Sequence, residues 1–133
     1  MAESTRGGVP ADQGTLQKDE TSNLISSEKV RGTEVYGRNG EHLGEVEHLM
    51  VDKHSGKVAY AVVAFGGFLG LGGERRALPW QVLSYDFDLD GYVVGAENDV
   101  LRNAPMGGGD REYDDREWRD RVYSHFGVAP YWH

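Results

Sequence analysis

Apolar residues in the middle of the chain fall into short stretches separated by turn residues. Asn39-Gly40 and His54-Ser55-Gly56 are strong turn signals, and an Asn-Gly pair is typical of a tight hairpin. Pro79-Trp80-Gln81 is typical of a single helical turn between strands. Strands this short, at roughly 8–12-residue spacing, indicate a mainly β fold, a small barrel or sandwich. The pattern predicts strands over residues 33–37, 42–53, 58–65, 74–78, 82–85 and 92–94.

The stretch from Val58 to Phe65 differs from its neighbours because every position in it is apolar. Side chains of a strand point alternately to its two faces, so both faces of this strand must be covered. We therefore expect it to be a central strand or to lie at an interface with a partner.

The composition divides the chain into three segments. Residues 1–22 contain no aromatic residue and few apolar ones, so we expect a disordered tail. Residues 23–104 carry the strands and form the predicted barrel domain. Residues 105–133 contain the hinge-like run Gly107-Gly108-Gly109 and carry six aromatic residues, so we expect this segment to dock on a surface.

An amphipathic helix is predicted in this last segment. Asp114 or Asp115 can cap its start, and Gly127 stands where a C-terminal cap belongs. Trp118, Val122 and Phe126 recur every four residues and form one apolar stripe. The stripe either covers an open end of the chain's own barrel or docks on a second subunit.

Composition and charge exclude several classes of protein. The 133 residues include 19 Gly and no Cys, and the formal charge is −8. The absence of cysteine excludes a disulfide scaffold, a thiolate metal site and a cysteine nucleophile. The acidic balance disfavours nucleic acids and anionic membranes as partners. No apolar run is long enough for a transmembrane helix, and the N-terminal residues have no signal-peptide pattern, so we expect a cytoplasmic protein.

Several short motifs, taken in order, resemble those of the PRC-barrel family. They begin with Leu24–Thr33 and Asn39–Gly44 and continue through Ser55–Val62, and the resemblance spans about residues 24–104. Further matching runs are Leu49–Asp52, Phe65–Gly70, Leu78–Trp80 and Gly91–Val94. The tail ending at Trp132 is similar to that of a bacterial subgroup.

The resemblance implies a six-stranded PRC-type β-barrel, here followed by the amphipathic helix. The family occurs in the cytoplasmic part of the photosynthetic reaction centre H subunit and in the C-terminal domain of a ribosome-maturation factor. It implies a non-catalytic module of protein assembly, with no catalytic residues and no cofactor to carry over. Neither specific role transfers, because the chain shows neither the membrane anchor of the first protein nor the second domain of the other.

One motif matches a calcium-binding pattern. Asp86, Asp88, Asp90 and Gly91, followed by Glu97, satisfy the EF-hand loop formula, and three carboxylates with a distal Glu could cage a cation. The flanking residues read as strands rather than helices, and a strand over 92–94 would carry Glu97 away from the aspartates. We therefore predict a solvated acidic turn and keep a cation site as the alternative.

The other motifs have simpler interpretations. Ser26-x-x-Lys29 lacks the companion elements of acylating hydrolases, and Ser26 fits the cap of a helical turn. The glycine-rich loop 66–73 fits no phosphate-binding formula. The five His show no metal-ligand spacing, and Arg75-Arg76 could hold an acidic partner or a small anion.

The sequence thus predicts a non-catalytic assembly module that self-associates as a dimer or binds another protein. A cation-binding protein and an RNA-maturation accessory factor are the alternatives, and no nucleophile–base set points to an enzyme. The predicted contacts are apolar side chains at the end of the strand over 58–65, in the 66–73 loop and in the C-terminal segment. These residues are Phe65, Phe68, Leu69, Leu71, Trp118, Val122, Phe126, Tyr131 and Trp132.

Overall fold

The computed structural model describes residues 23–67, 70–105 and 116–131. The chain divides into two units after Val30, and the first contributes one short helix, α1, to the described residues. In its described residues, the second unit carries six strands, a 3-10 turn over Trp80–Val82 and two helices. The elements are α1 (Ser27–Val30), β1 (Glu34–Tyr36), β2 (His42–Val51), β3 (Val58–Phe65), β4 (Arg75–Pro79), β5 (Leu83–Asp86), β6 (Gly91–Val94), α2 (Asn98–Arg102) and α3 (Arg116–His125).

Helix α1 is a single turn with a serine cap. The Oγ of Ser26 accepts a hydrogen bond from the backbone N–H of Glu28 at 3.1 Å. This bond satisfies one of the amides that the start of a helix leaves unpaired. The cap explains the Ser-x-x-Lys spacing without any catalytic role.

The six strands form one curled sheet in the order β4-β3-β2-β1-β6-β5. All neighbours are antiparallel except β1 and β6, which are parallel. The end strands β4 and β5 are consecutive in the chain, and only the 3-10 turn Trp80–Val82 separates them. So short a connection brings the two edges together at that corner, which curls the sheet into a half-barrel. The predicted mainly β fold with six strands is confirmed.

Gly44 marks a point where two backbones come unusually close. A Cβ at this position would lie 2.1 Å from the carbonyl oxygen of Ala64 on β3, far inside van der Waals contact. Only glycine allows β2 and β3 to approach in this way. Nearby, the pairing of β2 with β3 has two bulges, one with Glu47 as the extra residue on β2 and one with Ala59 as the extra residue on β3. Bulges of this kind bend a strand and increase the local twist.

Strand β3 is covered on both faces within one chain. It lies between β2 and β4 and is therefore a central strand. This is one of the two explanations that the sequence predicted, the other being an interface with a partner. Ala61 and Val63 are fully buried on one face, and Tyr60 and Val62 are buried on the other. Tyr60 and Val62 belong to a cluster with residues of α3. The apolar character of this strand is therefore explained without a partner.

Helix α3 packs its stripe against the sheet of its own chain. Trp118, Val122 and Tyr123 are buried in a cluster with Tyr60 and Ala77. The Trp118 and Tyr60 ring centroids lie 5.5 Å apart. The two predicted placements were an open end of the chain's own barrel and a second subunit, and the helix packs on its own chain, against residues of β3 and β4. The apolar stripe thus includes Tyr123, which the four-residue spacing alone had not included.

The predicted glycine cap at the C-terminal end of α3 is present. Gly127 has a φ of 70°, and the N–H of Val128 donates to the carbonyl of Tyr123 at 3.0 Å, as expected for a glycine cap. The predicted N-cap residues Asp114 and Asp115 and the glycine hinge 107–109 lie outside the described residues. So do the predicted disordered tail over 1–22 and Trp132.

Candidate functional site

An open cavity of about 350 Å³ lies between the β2–β3 turn and the C-terminal part of the chain. We call it the helix groove. Its volume falls in the range of small binding sites, which begins at about 300 Å³. It is lined by Met50, Val51, Asp52, Lys53, His54, Ala59, Tyr60, Arg119 and Tyr131.

Asp52 organises one wall of the helix groove. Its Oδ1 accepts hydrogen bonds from the backbone N–H groups of His54 at 2.8 Å and Ser55 at 2.9 Å, which fixes the turn. Its Oδ2 accepts a third bond from the hydroxyl of Tyr131 at 2.8 Å. The bond from the Ser55 amide, then those from Tyr131 and His54, lower the pKa of this carboxyl to about 2. Asp52 is therefore a structural anion with its oxygens already engaged.

Tyr131 belongs to the same wall of the helix groove as Asp52 and is itself held in place. Partial burial and its bond to Asp52 raise the pKa of its hydroxyl to about 12. The Nζ of Lys57 stands 5.7 Å from the centroid of its ring, in a cation–π position. The groove thus has an ordered aromatic side chain beside the β2–β3 turn.

The polar residues around the groove are mainly cationic. Lys53 and Arg119 line it, and Lys57 stands over Tyr131. Lys53 is exposed and makes no ion pair among the residues that the structure describes. The apolar lining includes Val51, which is 53% exposed. In a chain of net charge −8, this is a local surface suited to an acidic, partly apolar ligand.

The β5–β6 hairpin presents a second surface of opposite character, which we call the hairpin tip: residues 86–90. Phe87 is 68% exposed and Leu89 is 38% exposed. The Phe87 ring rests edge-on against Tyr85 at 5.2 Å, and Tyr85 contacts Tyr92 at the same distance. The exposed aromatic is therefore supported by a row of rings rather than hanging free.

Two carboxylates of the hairpin tip form hydrogen bonds within the hairpin rather than the calcium loop that the sequence left as an alternative. The Asp86 carboxylate accepts hydrogen bonds from the backbone N–H groups of Asp88 and Leu89 at 2.9 and 3.1 Å. The Asp90 carboxylate accepts a hydrogen bond from the hydroxyl of Tyr85. Glu97 bonds the Nη1 of Arg38 at 2.7 Å instead. Across residues 23–67, 70–105 and 116–131, no group of three or more His, Cys, Asp or Glu is arranged to hold a metal ion. The turn and the distal Glu thus belong to separate contacts.

The predicted contact residues fall into three groups. Phe65, Leu71, Trp118 and Val122 are buried within the chain, so an interface through them would have to displace that packing. Phe68, Leu69 and Trp132 lie outside the described residues. The remaining two, Phe126 and Tyr131, are half-buried at the edge of the α3 cluster and stay candidates for contact.

The arginine doublet is engaged inside the chain. Arg76 is 4% exposed and pairs with Glu74 at 2.8 Å, and the Nε of Arg75 donates to Glu47 at 2.6 Å. The bond from Arg75 lowers the pKa of Glu47. Neither arginine is left as the open cationic site that the sequence suggested.

Sequence reasoning missed the helix groove. Its walls are residues 50–60 and residues 119 and 131, which no local pattern connects. The available signal was weak: Lys53-His54 is a basic pair in an acidic chain, and it stands at a predicted turn. Sequence reasoning also did not single out Phe87, the exposed aromatic residue of the hairpin tip.

A curled six-stranded sheet with its edge strands joined by a 3-10 turn and a helix packed on one face defines a small barrel-type module. The family model of the PRC-barrel domain matches residues 22–101. The chain therefore belongs to the PRC-barrel family, whose domain is in general of a non-catalytic type. No curated protein matches the chain significantly. Among the described helices, none has the length and apolarity needed to cross a bilayer.

Proposed function

We propose that this chain is a non-catalytic assembly module that self-associates as a dimer. Membership of the PRC-barrel family supports the first part, since the domain type serves protein assembly rather than catalysis. The observation that carries the second part is the helix groove, an open cavity with an apolar floor and a cationic rim.

The groove supports contact with protein more than with a small substrate. Its floor is Ala59 and Tyr60, which are buried, and Val51 at its edge is exposed. Asp52 and Tyr131 are bonded to each other, so these two side chains form a wall rather than a reactive pair. A rim of Lys53 and Arg119 favours an acidic partner, and a second copy of this chain, at −8, is acidic.

The proposal is tested by sedimentation velocity on the full chain over a thousandfold range of concentration. A monomer–dimer equilibrium that shifts with concentration is the expected result. A monomer throughout the range contradicts self-association and leaves only binding to other proteins.

The proposal includes a location in the cell and sets aside two alternatives that the sequence left open. We place the protein in the cytoplasm, which cell fractionation tests. Nothing in the geometry favours the RNA-maturation alternative, and a charge of −8 opposes binding to phosphates. The calcium alternative loses its distal ligand to Arg38.

A further inference from the structure

The hairpin tip carries three carboxylates that form no ion pair with any described residue. Asp86, Asp88 and Asp90 stand in a stretch from residue 77 to residue 101 that contains no Lys, Arg or His. Glu97 and Asp99, in the same stretch, are paired with Arg38 and Arg102 at 2.7 Å. The tip therefore differs from the neighbouring acidic residues in lacking a cation.

The tip combines this charge with an exposed apolar group held in a fixed position. Phe87 projects between Asp86 and Asp88 and is 68% exposed, and its ring is supported by Tyr85. Exposed aromatic residues in small domains mark contact surfaces. A surface that fits the tip must offer an apolar recess with cations around it.

The helix groove has that character. Its recess is apolar, with Met50, Ala59 and the ring of Tyr131, and its rim carries Lys53 and Arg119. We infer that the hairpin tip of one chain docks in the helix groove of a second copy, with Phe87 in the recess and the tip aspartates beside the rim cations. This inference rests on the self-association proposed above and names its contact. Two such contacts related by a two-fold axis give a closed dimer.

Charge reversal tests this contact with variants that should fold. The Asp88 side chain makes no bond in the tip, because only its backbone N–H is used. Lys53 is exposed. We expect Asp88→Lys and Lys53→Glu each to weaken dimerisation about tenfold or more, since like charges then face each other. The double variant D88K/K53E restores opposite charges and should recover most of the lost affinity.

Matched controls separate this effect from a change in net charge. Glu45→Lys and Arg31→Glu make the same charge changes at exposed positions outside the tip and the groove, and they should leave dimerisation within about twofold of the wild type. Phe87→Ala should weaken dimerisation about tenfold at unchanged charge. Far-ultraviolet circular dichroism and thermal unfolding confirm that each variant is folded.

The outcomes separate the two proposals. A wild-type chain that is monomeric at all concentrations overturns self-association and this contact together. A wild-type dimer that D88K, K53E and F87A leave unchanged overturns the contact alone. A dimer that each single variant weakens and the double variant does not recover also overturns it, because the two surfaces then do not face each other.

Discussion

The hydroxyl of Tyr123 donates a hydrogen bond to the backbone carbonyl of Ala59 at 2.7 Å, in the buried contact between α3 and β3. Both residues lie in the same apolar cluster, and Tyr123 is fully buried. Burial raises the pKa of this hydroxyl. The bond fixes the position of the helix along the strand, which apolar packing alone does only loosely.

Replacing Tyr123 with Phe tests the value of this bond. The ring stays in the cluster, but the carbonyl of Ala59 loses its hydroxyl partner in a dry environment. We expect Tyr123→Phe to lower the free energy of unfolding by about 1–3 kcal/mol, measured by urea denaturation. Tyr36→Phe is the matched control, because the Tyr36 hydroxyl makes no hydrogen bond to any residue that the structure describes. This variant should change stability by less than about 0.5 kcal/mol. Equal effects of the two variants would contradict the role given to the Tyr123 bond.

Replacing Trp118 with Ala tests whether α3 belongs to its own sheet. Trp118 is 2% exposed, so its truncation should cost about 3–5 kcal/mol of unfolding free energy. Limited proteolysis should then cut within residues 116–131. Arg121→Ala, on the exposed side of the same helix, is the control.

The loss at Trp118 should be the same at low and high protein concentration. A loss that disappears as the concentration rises would show that the indole is buried by a second subunit instead.

The low pKa of the Asp52 carboxyl leads us to expect a loss of folding stability in acid. Its folded pKa, about 2, lies below its ordinary value of 3.8, so its contribution is fully present above pH 4 and is lost as the pH falls toward 2. Asp52→Asn should flatten the pH dependence of unfolding in this window. Thermal unfolding between pH 2 and pH 5 measures it, and an unchanged slope in the variant would contradict the prediction.

The raised pKa of the Tyr131 hydroxyl leads us to expect a loss of folding stability in strong base. Its folded pKa, about 12, lies above its ordinary value of 10.0, so its contribution is fully present below pH 10 and is lost as the pH rises toward 12. Tyr131→Phe should remove this dependence. It should also raise the pKa of Asp52, because the carboxylate loses one of its donors. Ultraviolet titration of the tyrosines and a carboxyl titration by nuclear magnetic resonance check the two effects.

Calorimetric titration with Ca²⁺ tests the acidic turn. Because Glu97 pairs with Arg38, we expect no saturable heat below millimolar calcium. A stoichiometric heat that Asp88→Asn or Glu97→Gln abolishes would show that the two segments rearrange around the ion. Arg38→Ala, which frees Glu97, is the variant in which binding should first appear.

Local pattern was sufficient for most of the sheet. Continuous apolar character identified β3 with its observed bounds, and Asn39-Gly40 marked a turn in which Gly40 donates to the carbonyl of Gly37 at 3.0 Å. The helical turn between β4 and β5 was predicted at residues 79–81, one residue before its observed position at Trp80–Val82. These features depend on neighbours in sequence, and a single chain contains that information.

Features that depend on distant pairs were not predictable. The short helix α2 was not predicted. It is contacted by α3, since the Nε2 of His125 lies 2.7 Å from the carbonyl oxygen of Val100, 25 positions away in the chain. The Tyr131–Asp52 bond joins residues 79 positions apart. The apolar stripe of α3 was recognised, but its periodicity does not say which surface covers it. That choice is made by the packing of Tyr60 against Trp118.

The close approach at Gly44 has a consequence for how freely the sequence can vary. Any side chain there would meet the backbone oxygen of Ala64, which a rotamer change cannot move away. By contrast, Phe87 and Lys53 are exposed, so many residues at those positions are compatible with the fold. In a library of all single substitutions, the positions that set the curl of the sheet would therefore tolerate almost nothing. The surfaces proposed for assembly could change freely, and new partners could arise on an unaltered scaffold.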